Sequence, residues 1–361
     1  MTNLTFVGDT FISSPLQRTK ALDAVVNVLQ EGNLVFANLE QVLTKKEPPA
    51  YPTEKTFVVY SDPSITSELH NLGFSIVTVA NNHTMDWGYG GLFDTMKALT
   101  SANIPYVGAG KDLSSAREYR VLESNGTRVA YIGCSSQLPR GSAAGEFRPG
   151  LNPVHVEIQW AVMTGQLDES PLFNPPIVST VLAKDLEDLC NTVNNAKKEA
   201  DIVVLACHGG ATWMEGQADY QVELAHAVID AGCDIFIGHN SHKLQAIEIY
   251  SSKLIFYDLG NFIFHKLDPT YANSYLSFRS HYDMSEAYSR QSPDTVIPRV
   301  TIDNGQITSC QLTCIRGNSL GEPELASKDA SIAIIDRLTS LSKPYGTKIV
   351  RNDSKANIIL E

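Results

Sequence analysis

The run FSIVTVA, residues 74–80, is apolar at nearly every position and stops abruptly on Asn81-Asn82-His83. A short, β-branched segment without alternation fits a strand covered on both faces, because exposure of either face would select polar residues at every second position. Similar runs occupy 4–7, 34–38, 76–80, 128–133, 202–207, 235–238, 244–250 and 253–258. Helical spacing fills 20–30, 64–72, 90–102, 180–199 and 217–231 between them. Strands alternating with helices predict a layered α/β fold. Ser251-Ser252 joins two alternating segments as a hairpin, which makes the sheet mixed.

The strands share a second property. Their carboxyl ends carry Gly8-Asp9, Asn38-Leu39-Glu40, Asn81-Asn82-His83, Cys207-His208-Gly209-Gly210 and Gly238-His239-Asn240-Ser241-His242. Ligands of open α/β sheets bind at that end, so groups distant in sequence converge there. Taken singly, Asp9 reads as a helix cap, Glu40 as a solvated carboxylate and His208 as a core imidazole. Jointly, two carboxylates, an amide and several imidazoles without a thiolate form a donor set for zinc, manganese or iron. Paired ions bridged by an oxygen activate water, which is hydrolytic chemistry. No GxGxxG, GxxxxGK[ST] or GxSxG sequence occurs, so a nucleotide cradle or a serine nucleophile elbow has no support.

Charge narrows the partners. The chain carries 40 acidic against 28 basic residues, a net charge of -12, with no basic stripe, which disfavours nucleic acid. Six cysteines in 361 residues, at least three of them within apolar runs, read as buried thiols rather than staples. No leader pattern and no apolar window of membrane-spanning length is present, so the expectation is a cytoplasmic chain as the sequence stands, or an extracellular or cell-envelope one if a leader was removed. Residues 137–178 and 265–293 are irregular in pattern. Residues 295–315 read as two strands about the Asp303-Asn304-Gly305 turn, and 324–343 as a helix.

FVGDT, ANLE, VANNHTMDWGYGGLFDT, YVGAG, CHGG, IGHNSHKLQAIEIY and LIFYDLGNFIF, in order from Phe6 to Phe264, resemble the CapA family of capsule synthesis, associated with poly-gamma-glutamate biosynthesis. That family belongs to the calcineurin-like metallophosphoesterase superfamily. The resemblance implies a four-layer α/β/β/α sandwich with two mixed sheets. It also implies a single metallophosphatase-like domain over 1–361, with a core at 4–264, insertions at 137–178 and 265–293 and a C-terminal strand and helix extension. One or two divalent ions (Mn, Zn or Fe) follow, with Glu40 bridging, Asn82, His208 and His239 on one ion, and Asp9 and His242 on the other. His83 would face the scissile group as acid or transition-state stabiliser, and Asp86 would hold His83 or the loop after it. Asn81 reads as a turn residue, and Trp87, Tyr89 and Trp213 as candidate groove walls.

The sequence departs from the superfamily pattern at three places. Phe11 stands where a histidine often follows the first aspartate, Gly209-Gly210 and Thr212 replace a Trp-Gly and a Glu, and Asn240-Ser241 replace His-Pro. The expected activity is a metal-dependent hydrolase acting on a phosphoester or gamma-glutamyl-type centre in an anionic small molecule or polymer. The rival is a non-catalytic poly-gamma-glutamate binding or accessory protein. Arg117, Arg120, Arg140 and Arg148 are the candidate anion contacts, each also readable as solvated surface charge.

Overall fold

Alternate residues of the first strand, Thr2–Phe11, enter different cores: Leu4 and Phe6 meet a second sheet, whereas Val7 meets helices. That division repeats through the computed structural model, which describes residues 1–46, 58–160, 177–266 and 289–360. Residues 161–176 and 267–288, which belong to the segments expected to be irregular, lie outside the described residues.

The first sheet runs in the order Tyr106–Val107, Ile76–Thr78, Leu34–Leu39, Thr2–Phe11, Asp294–Asp303, Gln306–Gly317, Lys355–Ile359, Lys348–Asn352. Its first four strands are mutually parallel and the remainder pair antiparallel. The second sheet runs Arg120–Ser124, Thr127–Ser135, Ile202–His208, Ile235–His239, Lys253–Phe256, Ile247–Tyr250, with a parallel centre and antiparallel edges. Leu4, Phe6, Leu34 and Phe36 of one sheet pack on Tyr131, Val204, Ile237 and Phe256 of the other. Phe36 and Tyr131 stack across this seam with centroids 5.6 Å apart and planes 6° from parallel.

The outer faces carry helices. Lys20–Gln30 places Leu22, Val25 and Leu29 at helical spacing against Val35 and Ala37, and its Thr19 hydroxyl caps the Leu22 amide. A cap of this kind contributes about 1 kcal/mol. Gly88–Ser101 covers the same face, while Ala183–Glu199 and Asp219–Asp230 cover the second sheet. The fold is therefore a four-layer α/β/β/α sandwich with two mixed sheets, as expected. All six cysteines are free thiols, five of them buried.

Boundaries differ where tertiary pairing overrides spacing. The helix expected from 180 begins at Ala183, because Ile177–Val181 pairs antiparallel with Val156–Trp160 inside the segment read as irregular. The helix expected from 324 begins at Lys328 behind a Ser327 cap, and Pro323–Leu325 instead extends the first sheet. Asn304 and Gly305 turn with φ 49° and 73°, and Ser251 and Ser252 with 50° and 61°, so both expected hairpins use left-handed turn residues.

Candidate metal centre

Period two carries the inner face of each sheet from apolar to polar at the same end. Leu34 and Phe36 lead to Asn38; Ile202, Val204 and Ala206 lead to His208; Ile235 and Ile237 lead to His239. His208 and His239 sit opposite each other in register on adjacent parallel strands. The first strand breaks the parity, since Leu4 and Phe6 would bring Gly8 inward. Register shifts around Asp9 on both edges of that strand, and the resulting bulge re-aims the carboxylate. Gly8 is required there because a Cβ would collide with the Gly260 carbonyl.

Asp9, Glu40 and His242, all buried, bring one ligand atom each within 4.8 Å of one another. His239 Nδ1 lies 3.1 Å and His242 Nδ1 3.5 Å from the Asp9 oxygens, and His208 Nε2 lies 3.8 Å from Glu40 Oε1. Asn82 is half-buried in the turn beside His83. The arrangement thus unites both sheets. Burial alone would push the Asp9 carboxyl up, but His239 beside it, with His208 and His242, holds it well below the usual carboxylate range. Burial pushes His208 well below the usual imidazole value despite the opposing Asp9 charge, so its ring is neutral and suited to ligation.

The turn carrying His239 and His242 has left-handed backbone at Asn240, φ 106°, and His242, φ 55°. Such conformations are costly for side chains larger than glycine and persist when neighbours fix them. Asn240 N donates to Asp9 Oδ2 at 3.3 Å, Ser241 N donates to Asp258 Oδ2 at 2.7 Å, and His242 Nδ1 lies 2.8 Å from Asn261 Oδ1. Asp258 also accepts from Gly260 N at 2.6 Å, which ties the turn to the backbone that crosses Gly8.

On the opposite wall, Asp86 Oδ2 accepts from Val59 N at 2.9 Å and lies 2.6 Å from His83 Nδ1. An acceptor already aligned by a backbone amide makes Nδ1 the donor and leaves the lone pair on Nε2, which lies 3.9 Å from Glu40 Oε1. Asn81 does more than turn the chain: its Oδ1 accepts from the His83 and Thr84 amides, and its Nδ2 donates to Asn38 Oδ1 at 3.0 Å.

Other expected contacts fall elsewhere. Trp87 is buried against Val42 and Val58 as core, and Tyr89 is 44% exposed. Trp213 N donates to Ser241 O at 2.9 Å, which holds its loop on the histidine turn. Arg117 pairs with Asp188 at 3.0 Å, Arg120 with Glu118 at 2.9 Å, and Arg148 donates to the Ala143 carbonyl. The Phe11 ring is fully buried, edge-on to Phe264 at 5.5 Å, so this position is apolar packing in place of a ligand. Sequence reading gave no role to Asn38, Asp258 or Asn261, although Asn38 stands in a polar strand end and the other two lie within LIFYDLGNFIF.

The donor atoms fit a divalent cation. His208 Nε2 and His239 Nε2 are buried without a hydrogen-bond partner among the described residues. An orphaned buried polar atom costs about 1–3 kcal/mol, which coordination would offset. Asp9, Glu40 and His242 therefore form a cluster able to coordinate such an ion.

Two facing mixed sheets thus bring imidazole, carboxylate and amide donors together at their joined carboxyl ends. Residues 3–266 match the bacterial capsule synthesis protein PGA_cap family, and the chain belongs to it. An uncharacterized protein of Sinorhizobium fredii is 27% identical, across 96% of this chain and 90% of its own length. The PGA biosynthesis protein CapA of Bacillus subtilis is 30% identical across 72% of this chain and 62% of its own. A probable polyglutamine synthesis accessory protein of Mycobacterium tuberculosis is 35% identical across 68% and 58% respectively. No helix among the described residues is long and apolar enough to cross a membrane.

Proposed function

We propose that the protein is a divalent-metal-dependent hydrolase whose substrate presents a phosphoester or a gamma-glutamyl-type centre within an anionic molecule. The observation that carries this reading is the approach of Asp9, Glu40 and His242 ligand atoms to within 4.8 Å in a fully buried cluster. Asp9, Glu40, Asn82, His208, His239 and His242 would hold one or two ions of manganese, zinc or iron. Bound there, a divalent ion supplies Lewis-acid polarisation and lowers the pKa of water.

The chain's own groups do the rest. Asp86 fixes the His83 tautomer through the 2.6 Å contact, so that Nε2 faces the cluster and can exchange a proton with the reacting group. Asn38 and Asn240 N orient the Asp9 carboxylate before substrate arrives, and Asn261 orients the His242 ring. Burial of every carboxylate in the cluster excludes bulk water and strengthens these contacts.

Two observations favour a second reading, a binding or accessory protein that uses the same pocket without turnover. Phe11 occupies a position where the superfamily often supplies a ligand, and a relative carries an accessory description. Metal analysis of protein purified without chelator, followed by assays on bis(p-nitrophenyl) phosphate, p-nitrophenyl phosphate and gamma-glutamyl p-nitroanilide with Mn2+, separates the two. Metal-dependent release of nitrophenol or nitroaniline supports the hydrolase. Bound metal with no turnover supports the accessory protein, and absence of both metal and rescue defeats the metal centre.

A further inference from the structure

We infer that the small cavity beside His242 is a subsite for an oxyanion of the substrate, with Lys266 as its countercharge. The inference rests on the hydrolase reading, because the anion would lie next to the same cluster. The cavity encloses about 180 Å³ and is lined in part by Asn261, Phe264, Lys266, Gln291 and Ser292. At about 30 Å³ per water, that is room for roughly six waters, and so for a phosphate group or a carboxylate on a short carbon stem.

Two walls are shared with the metal centre. Asn261 Oδ1 lies 2.8 Å from His242 Nδ1, and the Phe264 ring stands edge-on to the His242 ring at 5.0 Å. Ser292 N donates to the His242 carbonyl at 3.1 Å, so the segment forming the far wall is fastened to the same residue. Asn261 Nδ2 donates to Gln291 Oε1 at 3.1 Å. With its carbonyl engaged, the Gln291 amide has two N–H groups to offer, which are donors for an anion and not for a cation.

Charge supports the same occupant. The chain is net -12, and Arg316, next to the cavity-lining Gly317, is already taken by Asp294 through contacts of 2.6 and 3.0 Å. Asp294, the carboxylate next to the cavity-lining Pro293, is neutralised by that pair and does not repel an entering anion. Lys266 has no such partner among the described residues. An ammonium, amide donors and an apolar ring around a space whose Asn261 and Phe264 walls touch His242 make a site for a small oxyanion.

The test titrates glutarate and, separately, inorganic phosphate into the full chain by calorimetry, with Mn2+ and after chelation, for the wild type, Lys266→Gln and Lys266→Arg. Loss of a charge-assisted contact predicts that Lys266→Gln binds at least one anion about tenfold more weakly, while Lys266→Arg retains most affinity. Mn2+ affinity should be equal in all three proteins. Loss for glutarate alone assigns the subsite to a carboxylate, for phosphate alone to a phosphoryl group, and for both to either oxyanion. Equal anion affinity in Lys266→Gln and wild type overturns the inference, as does a wild type that binds neither anion. Lys266-dependent anion binding in a protein that takes up no Mn2+ would defeat the hydrolase reading and leave the subsite standing.

Discussion

Asn38 Nδ2 donates to Asp9 Oδ1 at 2.8 Å between two residues that face each other in register on adjacent parallel strands. The same nitrogen lies 3.2 Å from His208 Nδ1 on the other sheet, and Asn81 holds the amide from behind. Removing it by Asn38→Ala leaves Asp9 without that donor. Residues that orient ligands typically matter by about 10- to 100-fold in metal affinity, and that loss is expected in Mn2+ titration calorimetry. Unchanged affinity would show that Asp9 needs no orientation.

His83 and His239 should separate chemistry from binding. His239→Ala deletes a buried ring 3.1 Å from Asp9 and should abolish measurable Mn2+ uptake. His83→Ala should keep the metal and lose about 10²- to 10⁴-fold in turnover, the range of general acid–base catalysis. Asp86→Asn should fall between wild type and His83→Ala and shift the pH–rate profile, because the 2.6 Å contact sets the His83 tautomer. Full turnover in His83→Ala would remove this residue from the mechanism.

The seam between the sheets makes a stability prediction. Phe36 is fully buried and stacked on Tyr131. Phe36→Ala should cost about 3–5 kcal/mol, through lost transfer energy and an inter-sheet cavity, in urea denaturation of the metal-free protein. A loss below about 1 kcal/mol would mean that the sheets collapse into the space.

His265 predicts a pH dependence. Burial pushes its ring below the usual imidazole value, only partly opposed by Glu322 Oε1 at 3.8 Å. Above about pH 6.5 the ring is neutral in both folded and unfolded chains and contributes no slope. As pH falls below that value the unfolded chain takes up a proton that the folded one resists, so stability declines by up to about 1.4 kcal/mol per pH unit until the folded pKa is reached. His265→Asn should abolish this component, so that the wild type loses more stability than the variant between pH 7.5 and 5.5 in parallel urea titrations. Parallel losses in the two proteins would refute the assignment.

The strand and helix succession was legible because strands covered on both faces are written as unbroken apolar runs, as in IVVLACH, whose ladder extends through His208. The edge strand Arg120–Ser124 escaped notice because it is largely exposed and carries no such run. The polar strand ends were legible for a related reason: period two turns them onto the face already occupied by the core. Asp9 was visible as a carboxylate but not as a bulged one, since its direction depends on Gly260, far along the chain. Asn38 looked like the end of a strand, and its contacts with Asp9 and His208 exist only once two sheets meet.

The in-register pairing of His208 with His239 also bears on how such a chain can vary in length over generations. One residue gained or lost inside Ile202–His208 or Ile235–His239 would reverse which side of the sheet every later side chain occupies, sending an imidazole into the helical layer. Insertions and deletions are therefore filtered from the strands and can accumulate only beyond the ligand-bearing turns. In this architecture, the spacing within each ligand-bearing strand and its turn is fixed, and the connections beyond are free to diverge.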